Sequence, residues 1–536
     1  MKPQITQTNE TPFGGCCAHS RRDFFASCAK CIGAAGVFSG LAVPTILTSE
    51  SCTPRRSMKV RVVFAAHSPV AEEACWPNIA FDFKPVMEKY MNAWTIGCPG
   101  IEFVQSMIAN VEQEKKLVEE DNTRGDIDGY IMVHLVCDVR FIDNLIGTGK
   151  PFLYVDFLYA GGAGYLELGA RQLRNNVENY AHIPSGNLDH LVAAANCFHL
   201  VKGRGGVKAF VDAVSKIRID IAANVKVDMA CTNDRFDILS TNDLLQELKT
   251  KRILAFERGY DLTNATKDSL GIDIVRRPFT ELNDLWEKAD RDQAGEIVNR
   301  WKNSAEAIVG VRDNTLEKSA RMYLAMKECL KKHDACAITV NCLGGFYGGQ
   351  INAYPCLGFH ELLNEGLIGA CECDMFSTVT MVVMTTMTKG RPGFISDPVL
   401  DVEGRQIIYA HCVASNRPFG PQGASNPFSI MTHSEDRQGA SVRSTLPEGY
   451  MTTSLKMWPG GRQGYEVVFH QAKSVGNSTD DRACRTKLVA VPVGDYEKLF
   501  TEWDRWGWHR VTYYGDLKAP VFALADALGW KIIEEA

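Results

Sequence analysis

Acidic and imidazole side chains recur at the ends of short apolar runs in the C-terminal half of the chain. Glu372 and Asp374 close the first run, and Asp397 follows a second run. His411 interrupts a third run, and His509 comes much later in the chain. Parallel sheets place ligand sites at the carboxyl ends of strands, and carboxylate oxygens with imidazole nitrogens suit Mn²⁺, Mg²⁺ or a similar ion. Four of these residues are therefore candidate ligands of a metal site: Glu372, Asp397, His411 and His509.

Each of these residue types also has an ordinary structural role. A carboxylate at a strand end often caps a helix or lies at the protein surface. A lone histidine on a strand is often a hydrogen-bonded residue of the core. The spacing alone therefore leaves the metal site and these structural roles as open alternatives.

A glycine cluster at residues 161–164 lies between a strand pattern and a helix pattern, which is the context of a dinucleotide-binding loop. Glu167 takes the position of the third glycine, where its side chain would crowd and repel a pyrophosphate. The first strand pattern runs into Ala-His-Ser-Pro rather than a glycine fingerprint, and the sequence contains no P-loop lysine pattern. We therefore interpret the cluster as a turn and keep a nicotinamide enzyme as the weaker alternative.

The elements that must position these residues begin with an α/β region. Three β-rich apolar runs have the character of buried parallel strands, and a helical stretch rich in Glu and Lys lies at residues 108–120. The strand runs are residues 60–66, 129–135 and 151–158. This order predicts a first α/β domain with a parallel sheet over residues 56–180.

A second α/β pattern follows and carries Glu372. Its strand candidates are residues 252–257, 272–275, 335–340 and 368–374. Its helix candidates are residues 280–303, 314–332 and 357–367. Because strands and helices alternate again, we predict a second α/β domain over residues 181–390.

After Pro392 the chain changes to short alternating segments separated by Gly, Pro, Ser and Asn. The strand candidates here are residues 406–414, 428–433, 451–457, 465–470, 487–493 and 509–514. Helical patterns lie at residues 496–506 and 519–528. Short strands at this spacing predict an antiparallel sheet or barrel over residues 391–536. The predicted fold is α/β, with two Rossmann-like α/β domains followed by a mostly antiparallel β domain.

The first 55 residues have the pattern of an export signal and linker. Arg21 and Arg22 stand directly before Asp-Phe-Phe, and a mildly apolar run rich in Gly and Ala follows. This twin-arginine signal predicts export of the folded protein to the periplasm, with a Sec signal, a membrane anchor and a lipoprotein site at Cys52 as alternatives. The 18 cysteines show no paired zinc-site spacing after this leader, so we expect most to be small core residues.

Length and charge restrict the class of protein. At 536 residues the chain is too long for one hydrophobic core, and its 45% hydrophobic share is that of a globular protein. A net charge of −6 argues against a nucleic-acid partner. After the leader no segment approaches the roughly 20 apolar residues of a membrane span, so we expect no stable membrane span in the mature protein.

Four segments resemble the L-fucose/L-arabinose isomerase superfamily. The run LIGACECD is similar to the family's Ala-Cys-Glu-x-Asp strand, whose glutamate is a metal ligand and acid/base residue and corresponds to Glu372. The run GFISD ends at Asp397, in the place of the family's second carboxylate. His411 resembles the histidine ligand of the arabinose branch, and the run GWHR contains His509 in the place of the late histidine.

This resemblance implies a metal-dependent aldose–ketose isomerase that acts on a free sugar through a cis-enediol, with Mn²⁺ as the predicted ion. Glu372 and Asp397 would be its catalytic residues. Trp76 is similar to a family tryptophan that reaches a neighbouring subunit's site, which implies a homo-oligomer, a trimer or a hexamer. Trp76 and Trp508 are the predicted stacking residues for the sugar, and Asn341 is the predicted hydroxyl contact. The further aromatic candidates are Phe346, Tyr347 and Phe419.

The chain departs from the family pattern at two places and in its leader. Arg510 stands where the family often has a second histidine, and Cys373 replaces the usual small residue between Glu and Asp. These departures leave the sugar open. Three other functions stay as alternatives: a metal-dependent epimerase or lyase on a sugar acid, an exported oxidoreductase with a nicotinamide cofactor, and an exported non-catalytic carbohydrate-binding protein.

Overall fold

The protein is described by a computed structural model over residues 57–536, apart from residues 233, 258, 462 and 463. The predicted export signal, including Arg21 and Arg22, lies outside the described residues. In the described part of the chain, no helix combines the length and the apolar character needed to cross a membrane.

Five parallel strands form the first sheet. They are β1 (Met58–Ala65), β2 (Ile101–Ile108), β3 (Gly129–His134), β4 (Phe152–Asp156) and β5 (Tyr180–Ile183). Their spatial order is β2-β1-β3-β4-β5. Every residue of β3 and β4 is buried, as the uninterrupted apolar runs predicted. The edge strand β2 was not predicted, because most of its residues are partly or fully exposed and its apolar pattern is broken.

Helices follow or connect these strands: α1 (Lys84–Gly97), α2 (Val111–Arg124), α3 (Asp143–Ile146), α4 (Gly162–Arg174), α5 (Leu188–Asn196) and α6 (Gly206–Asn224). The predicted helix at residues 108–120 begins later, as α2, because Asn110 caps it by accepting a hydrogen bond from the Gln113 amide at 3.0 Å. The strand β5 and residues of α6 continue the core of the first sheet beyond residue 180. The division into domains at residues 180 and 390 stays a prediction.

The next strands are β6 (Arg252–Phe256), β7 (Asp273–Arg277), β8 (Ala307–Val309), β9 (Ala337–Val340) and β10 (Ile368–Ala370). Four of them form a second parallel sheet in the order β10-β9-β6-β7. The helices of this region are α7 (Thr241–Leu248), α8 (Thr263–Leu270), α9 (Phe279–Lys288), α10 (Arg291–Ser304), α11 (Asp313–Lys332), α12 (Cys342–Tyr347), α13 (Cys356–Asn364) and α14 (Met375–Met387). The predicted helix at residues 280–303 is divided into α9 and α10 because Asp290 caps α10, accepting from the Gln293 amide at 3.0 Å.

The remaining strands are β11 (Phe394–Asp401), β12 (Gln406–His411), β13 (Phe428–Met431), β14 (Ser441–Ser444), β15 (Met451–Gly461), β16 (Gly464–Asn477), β17 (Thr486–Pro492), β18 (Arg510–Tyr514) and β19 (Lys531–Glu534). Six of them form an antiparallel barrel in the order β15-β18-β11-β12-β17-β16, which β15 closes by pairing with β16. The strand β19 pairs with β16 in parallel. The strands β14, β13 and β8 form a small separate sheet. The last helices are α15 (Tyr496–Glu502) and α16 (Lys518–Leu528). The fold is therefore mixed α/β with a C-terminal antiparallel barrel.

The thirteen cysteines of the described residues are all free, and most of them are buried. This confirms, for this part of the chain, the expectation of small core residues. Cys342 and Cys371 lie side by side, with their sulfur atoms 3.2 Å apart, directly beneath the turn that carries Glu372.

Candidate active site and metal centre

Two of the predicted ligands lie on neighbouring strands of the barrel, and a third directly precedes the next strand. Asp397 lies in β11, and the register with β12 places His411 next to it. On the other side of β11, Ser396 pairs with Arg510, which places His509 next to Asp397. The strand order β18-β11-β12 therefore brings the three side chains to one end of the barrel.

Glu372 comes from the turn after β10, in the second parallel sheet. This strand ends at Ala370 and not at Asp374 as predicted, because Glu372 and Cys373 adopt left-handed backbone conformations with φ of 61° and 51°. The Glu372 amide donates a hydrogen bond to Cys342 Sγ at 3.4 Å. The sharp turn allows the Glu372 carboxylate to approach the end of the barrel.

The four predicted ligands converge from these two sheets. Glu372 Oε1 lies 3.5 Å from His411 Nε2, and Glu372 Oε2 lies 3.7 Å from His509 Nε2. Asp397 Oδ1 lies 3.3 Å from His509 Nε2. One ligand atom from each of Asp397, His411 and His509 lies within 4.8 Å of the others. The tertiary structure thus builds one cluster from segments that the sequence separates widely.

The donor set fits a divalent cation. His411 Nε2 faces the carboxylates, 3.5 Å from Glu372 Oε1, while Nδ1 lies 3.0 Å from the Cys412 amide nitrogen. Among the described residues, this buried Nε2 has no hydrogen-bond partner. A buried polar atom without a partner is costly, and a cation could use the Nε2 lone pair only in the tautomer with the proton on Nδ1, in which Nδ1 no longer accepts from Cys412. Two carboxylates and two imidazoles are an oxygen and nitrogen set that suits Mn²⁺.

Opposite charges control the protonation of the cluster. Burial alone would raise the pKa of Glu372, but the nearby His509 and His411 imidazoles outweigh it and lower that pKa to about 2. Burial alone would lower the pKa of His509, but Asp397 and Glu372 hold it well above its usual value. An imidazole must be neutral to bind a metal, so a bound cation would replace the protons that these carboxylates attract.

Asp374 and Lys456 hold His509 in place, and neither was predicted to belong to the site. His509 Nδ1 lies 3.0 Å from Asp374 Oδ2, which also accepts a hydrogen bond from Lys456 Nζ at 2.9 Å. The other oxygen of Asp374 caps α14 by accepting from the Ser377 amide at 3.0 Å. The Asp374 signal was visible in the sequence as a carboxylate that closes an apolar run, whereas Lys456 lies within a strand pattern and gave none.

A cavity of about 410 Å³ lies against the cluster. Glu372 and Asp397 form part of its wall, together with the rings of Trp76, Trp508 and Tyr347. This volume lies within the usual range for small-molecule sites. The cavity therefore places aromatic faces and two carboxylates around a space suited to a small molecule.

Trp76 lies in the cavity of its own chain. Its indole is 4% exposed and packs on Gly162, where an added Cβ would meet the ring at 2.8 Å. The contribution of Trp76 to the site of a neighbouring subunit stays a prediction. Gly161 and Gly164 allow similar close approaches, by Asp156 and by the backbone of Cys137. The glycine cluster at residues 161–164 serves packing at the start of α4, in agreement with its interpretation as a turn.

Three other predicted contacts lie elsewhere. Asn341 precedes α12 and packs beneath Gly344, and it is not among the described residues that line the cavity. The ring of Phe346 stacks on Tyr354 at 4.2 Å between centroids. Phe419 packs against Tyr450 and Tyr514 rather than at the site. The chemical types of these three residues suit a sugar site, but the structure places them outside the lining of the cavity.

Comparisons with known proteins find relatives named as sugar isomerases. No protein-family model matches the chain. A sulfoquinovose isomerase of Clostridium sp. (strain MSTE9) is 28% identical over 262 residues, 46% of this chain and 56% of that protein. The chain is similar to sulfoquinovose isomerases. Those of Priestia aryabhattai and Priestia megaterium (strain ATCC 12872 / QMB1551) are each 20% identical over 228 residues, 41% of this chain and 49% of theirs. The chain thus spans about half the length of these relatives.

Among solved structures, similarity is found to solute-binding proteins of ABC transporters. The protein from Bacillus halodurans C-125 with bound myo-inositol is 14% identical, with 62% of this chain and 91% of that chain covered and a TM-score of 0.16. The protein from Actinobacillus succinogenes 130z with bound D-allose is 10% identical, with 55% and 83% covered and a TM-score of 0.16. At this TM-score neither likeness supports a conclusion.

Proposed function

We propose that this protein is a metal-dependent aldose–ketose isomerase that acts on a sugar through a cis-enediol. The convergence of Glu372, Asp397, His411 and His509 beside an aromatic cavity is the observation that carries the proposal. The relatives named sulfoquinovose isomerase support the same reaction class. Twin-arginine export to the periplasm and assembly into a trimer or hexamer belong to the proposal as further expectations.

Glu372, Asp397, His411 and His509 would hold the ion, which when bound supplies Lewis acidity towards two adjacent oxygens of the sugar. An aldose–ketose isomerisation must remove a proton from C2 and deliver one to C1. The two carboxylates are the groups of the site that can carry these protons. Glu372 has the more exposed side chain, 30% against 13% for Asp397, and is therefore the better placed to meet substrate.

The remaining residues of the site position the reacting groups. Asp374 accepts from His509 and fixes the orientation of its ring, as carboxylates commonly do for metal-binding histidines. Trp76 and Trp508 offer apolar faces on which the carbon skeleton of a sugar can stack. Because both rings belong to the same chain as Glu372, one subunit contains carboxylates, imidazoles and stacking faces.

The proposal is tested with protein stripped of metal by a chelator and then supplied with Mn²⁺. A panel of L-fucose, L-arabinose, other aldoses and sulfoquinovose is followed by NMR in deuterated water, which reports both ketose formation and exchange of the C2 hydrogen. We expect exchange and ketose formation only with added metal. Full activity in the stripped protein would contradict the metal role, and absence of both signals with every aldose would contradict the isomerase.

A further inference from the structure

Glu435 is a carboxylate on the cavity wall that differs from Glu372 and Asp397 in its surroundings. It lines the same cavity as Glu372 and Asp397, but it is not among the described residues that group as possible metal ligands. The Tyr347 hydroxyl, also on this wall, donates a hydrogen bond to Glu435 Oε2 at 2.6 Å. The backbone carbonyl of Glu435 accepts from the Ile79 amide at 2.6 Å. The carboxylate is thus held at a fixed place without a role in binding the ion.

The neighbours of Glu435 make this position rigid. His433 Nδ1 lies 3.1 Å from Asp436 Oδ1, and Asp436 also accepts a hydrogen bond from the Tyr354 hydroxyl. The His433 ring meets Phe346 edge-on at 5.1 Å, and Phe346 in turn stacks on Tyr354. A side chain supported by such packing keeps its geometry when a ligand enters, which is a requirement for discrimination between ligands.

The cavity wall is acidic. Its ionisable lining includes four carboxylates, and none of the described lining residues is a lysine or an arginine. The four are Asp138, Glu372, Asp397 and Glu435. Burial raises the pKa of the Cys75 thiol to about 12, and the negative charges of Asp138 and Glu435 add to the shift. One bound divalent cation would balance two of the four carboxylate charges, and the Arg140 guanidinium stacks 4.6 Å from the Trp508 ring, so the repulsion of an anion depends on how close it comes to Glu435.

A sulfonate and a hydroxyl make opposite demands on such a wall. A sulfonate is a permanent anion that is recognised by arginine, lysine or N–H donors. A sugar hydroxyl can instead donate a hydrogen bond to a carboxylate. An unpaired carboxylate beside a bound sulfonate would repel it strongly in a partly buried site.

We propose that Glu435 determines specificity, accepting a hydroxyl group of the substrate and excluding anionic substituents. This inference rests on the proposed isomerase function and adds that the chain selects neutral aldoses over the sulfonated sugar for which its relatives are named. Glu435 does not carry the reacting proton in this proposal.

The test compares wild type with Glu435→Gln and Glu435→Asp, all loaded with Mn²⁺. Burial raises the pKa of Glu435 to about 7, with Glu372 adding to the shift, so the experiments are made at pH 8, where the carboxylate is ionised. A panel of aldohexoses, each with its 6-deoxy-6-sulfo counterpart, is measured for binding by calorimetry and for turnover by NMR. Glu435→Asp is the matched control, because it disturbs the length of the side chain but keeps the charge.

In wild type and Glu435→Asp we expect the neutral member of a pair to bind at least about tenfold more tightly than the sulfonated one. In Glu435→Gln this ratio should fall by about 10- to 100-fold, the scale of one nearby charge at an intermediate dielectric constant. Equal binding of both members by wild type, or an unchanged ratio in Glu435→Gln, would overturn the inference. Binding selectivity without turnover would leave the inference standing and overturn the isomerase, and absence of all binding would overturn both.

Discussion

His509 Nδ1 lies 3.0 Å from Asp374 Oδ2, so a residue that caps helix α14 also orients an imidazole at the end of the barrel. Lys456 Nζ donates to the same oxygen at 2.9 Å, and its side chain is 3% exposed. Asp374 precedes α14, Lys456 lies in the barrel strand β15, and His509 directly precedes β18. This contact joins the two halves of the candidate site through one carboxylate.

Replacement of Asp374 by asparagine should weaken metal binding while keeping the helix cap. Asparagine still accepts the Ser377 amide, but it loses the charge that holds His509. We expect Mn²⁺ affinity to fall about 10- to 100-fold, the usual effect of removing such a partner, as measured by calorimetry. The double variant with Lys456→Met removes the buried ammonium that would otherwise lose its partner. Wild-type affinity in the folded double variant would contradict the positioning role.

Glu372→Gln should damage turnover more than folding. The change keeps the shape and one oxygen donor but removes the charge and the basicity. We expect a loss in turnover of roughly 10²–10⁴-fold, the scale for deleting a general acid or base, together with slower exchange of the substrate C2 hydrogen. The exposed Glu306→Gln serves as the matched control and should behave as wild type. A metal-loaded Glu372→Gln protein with wild-type turnover would assign the proton transfer to another group.

Metal addition should stabilise the folded protein. An ion that binds only the folded state contributes about 2.7 kcal/mol at a concentration 100 times its dissociation constant. We therefore expect Mn²⁺ to raise Tm in a thermal scan and a chelator to reverse the rise. Asp397→Ala, which removes one ligand, should reduce the response of Tm to the ion. Equal responses in wild type and Asp397→Ala would argue that the ion binds elsewhere.

Glu535→Gln should destabilise the barrel. Arg510 and Glu535 are both fully buried, with Arg510 Nη2 donating to Glu535 Oε2 at 2.8 Å. Arg510 stands where the isomerase family often has a second histidine. Its ion pair with Glu535 therefore anchors the end of the C-terminal strand β19. Breaking a buried pair on one side typically costs about 3–5 kcal/mol of unfolding free energy, measurable by urea titration. A loss below about 1 kcal/mol would contradict this role.

The same pair should produce an acid-dependent stability. Burial alone would raise the pKa of Glu535, but Arg510 and His470 outweigh it and lower that pKa to about 2, against an ordinary value of 4.5. A carboxyl group with a lowered pKa in the folded state stabilises the protein at pH values above its unfolded pKa. This stability is lost as the pH falls, here between about pH 4.5 and 2. The loss is about 3 kcal/mol for this shift, and Glu535→Gln should lack it. Urea titrations of both proteins at pH 6, 4 and 3 measure the difference.

Local sequence patterns were sufficient for most elements and for the types of residue at the site. The buried strands β1, β3 and β4 follow from uninterrupted apolar runs, because such runs occur where a parallel sheet is covered on both faces. The strand β2 was missed because its apolar pattern is broken by exposed polar residues. The start of α2 was predicted too early because its cap depends on one residue, Asn110. The strand before Glu372 was predicted too long, since apolar composition does not show a left-handed turn at Glu372 and Cys373.

The sequence by itself determined that two carboxylates and two histidines of the right types stand near strand ends, and it named Trp76 and Trp508, which line the cavity beside them. Only the tertiary structure decided which other residues meet them. Asn341 and Phe419 were excluded, whereas Asp374, Lys456 and Glu435 were added. The reason is that periodicity reports which face of an element is buried, but strand register and barrel closure decide which side chains lie within a few ångströms of each other.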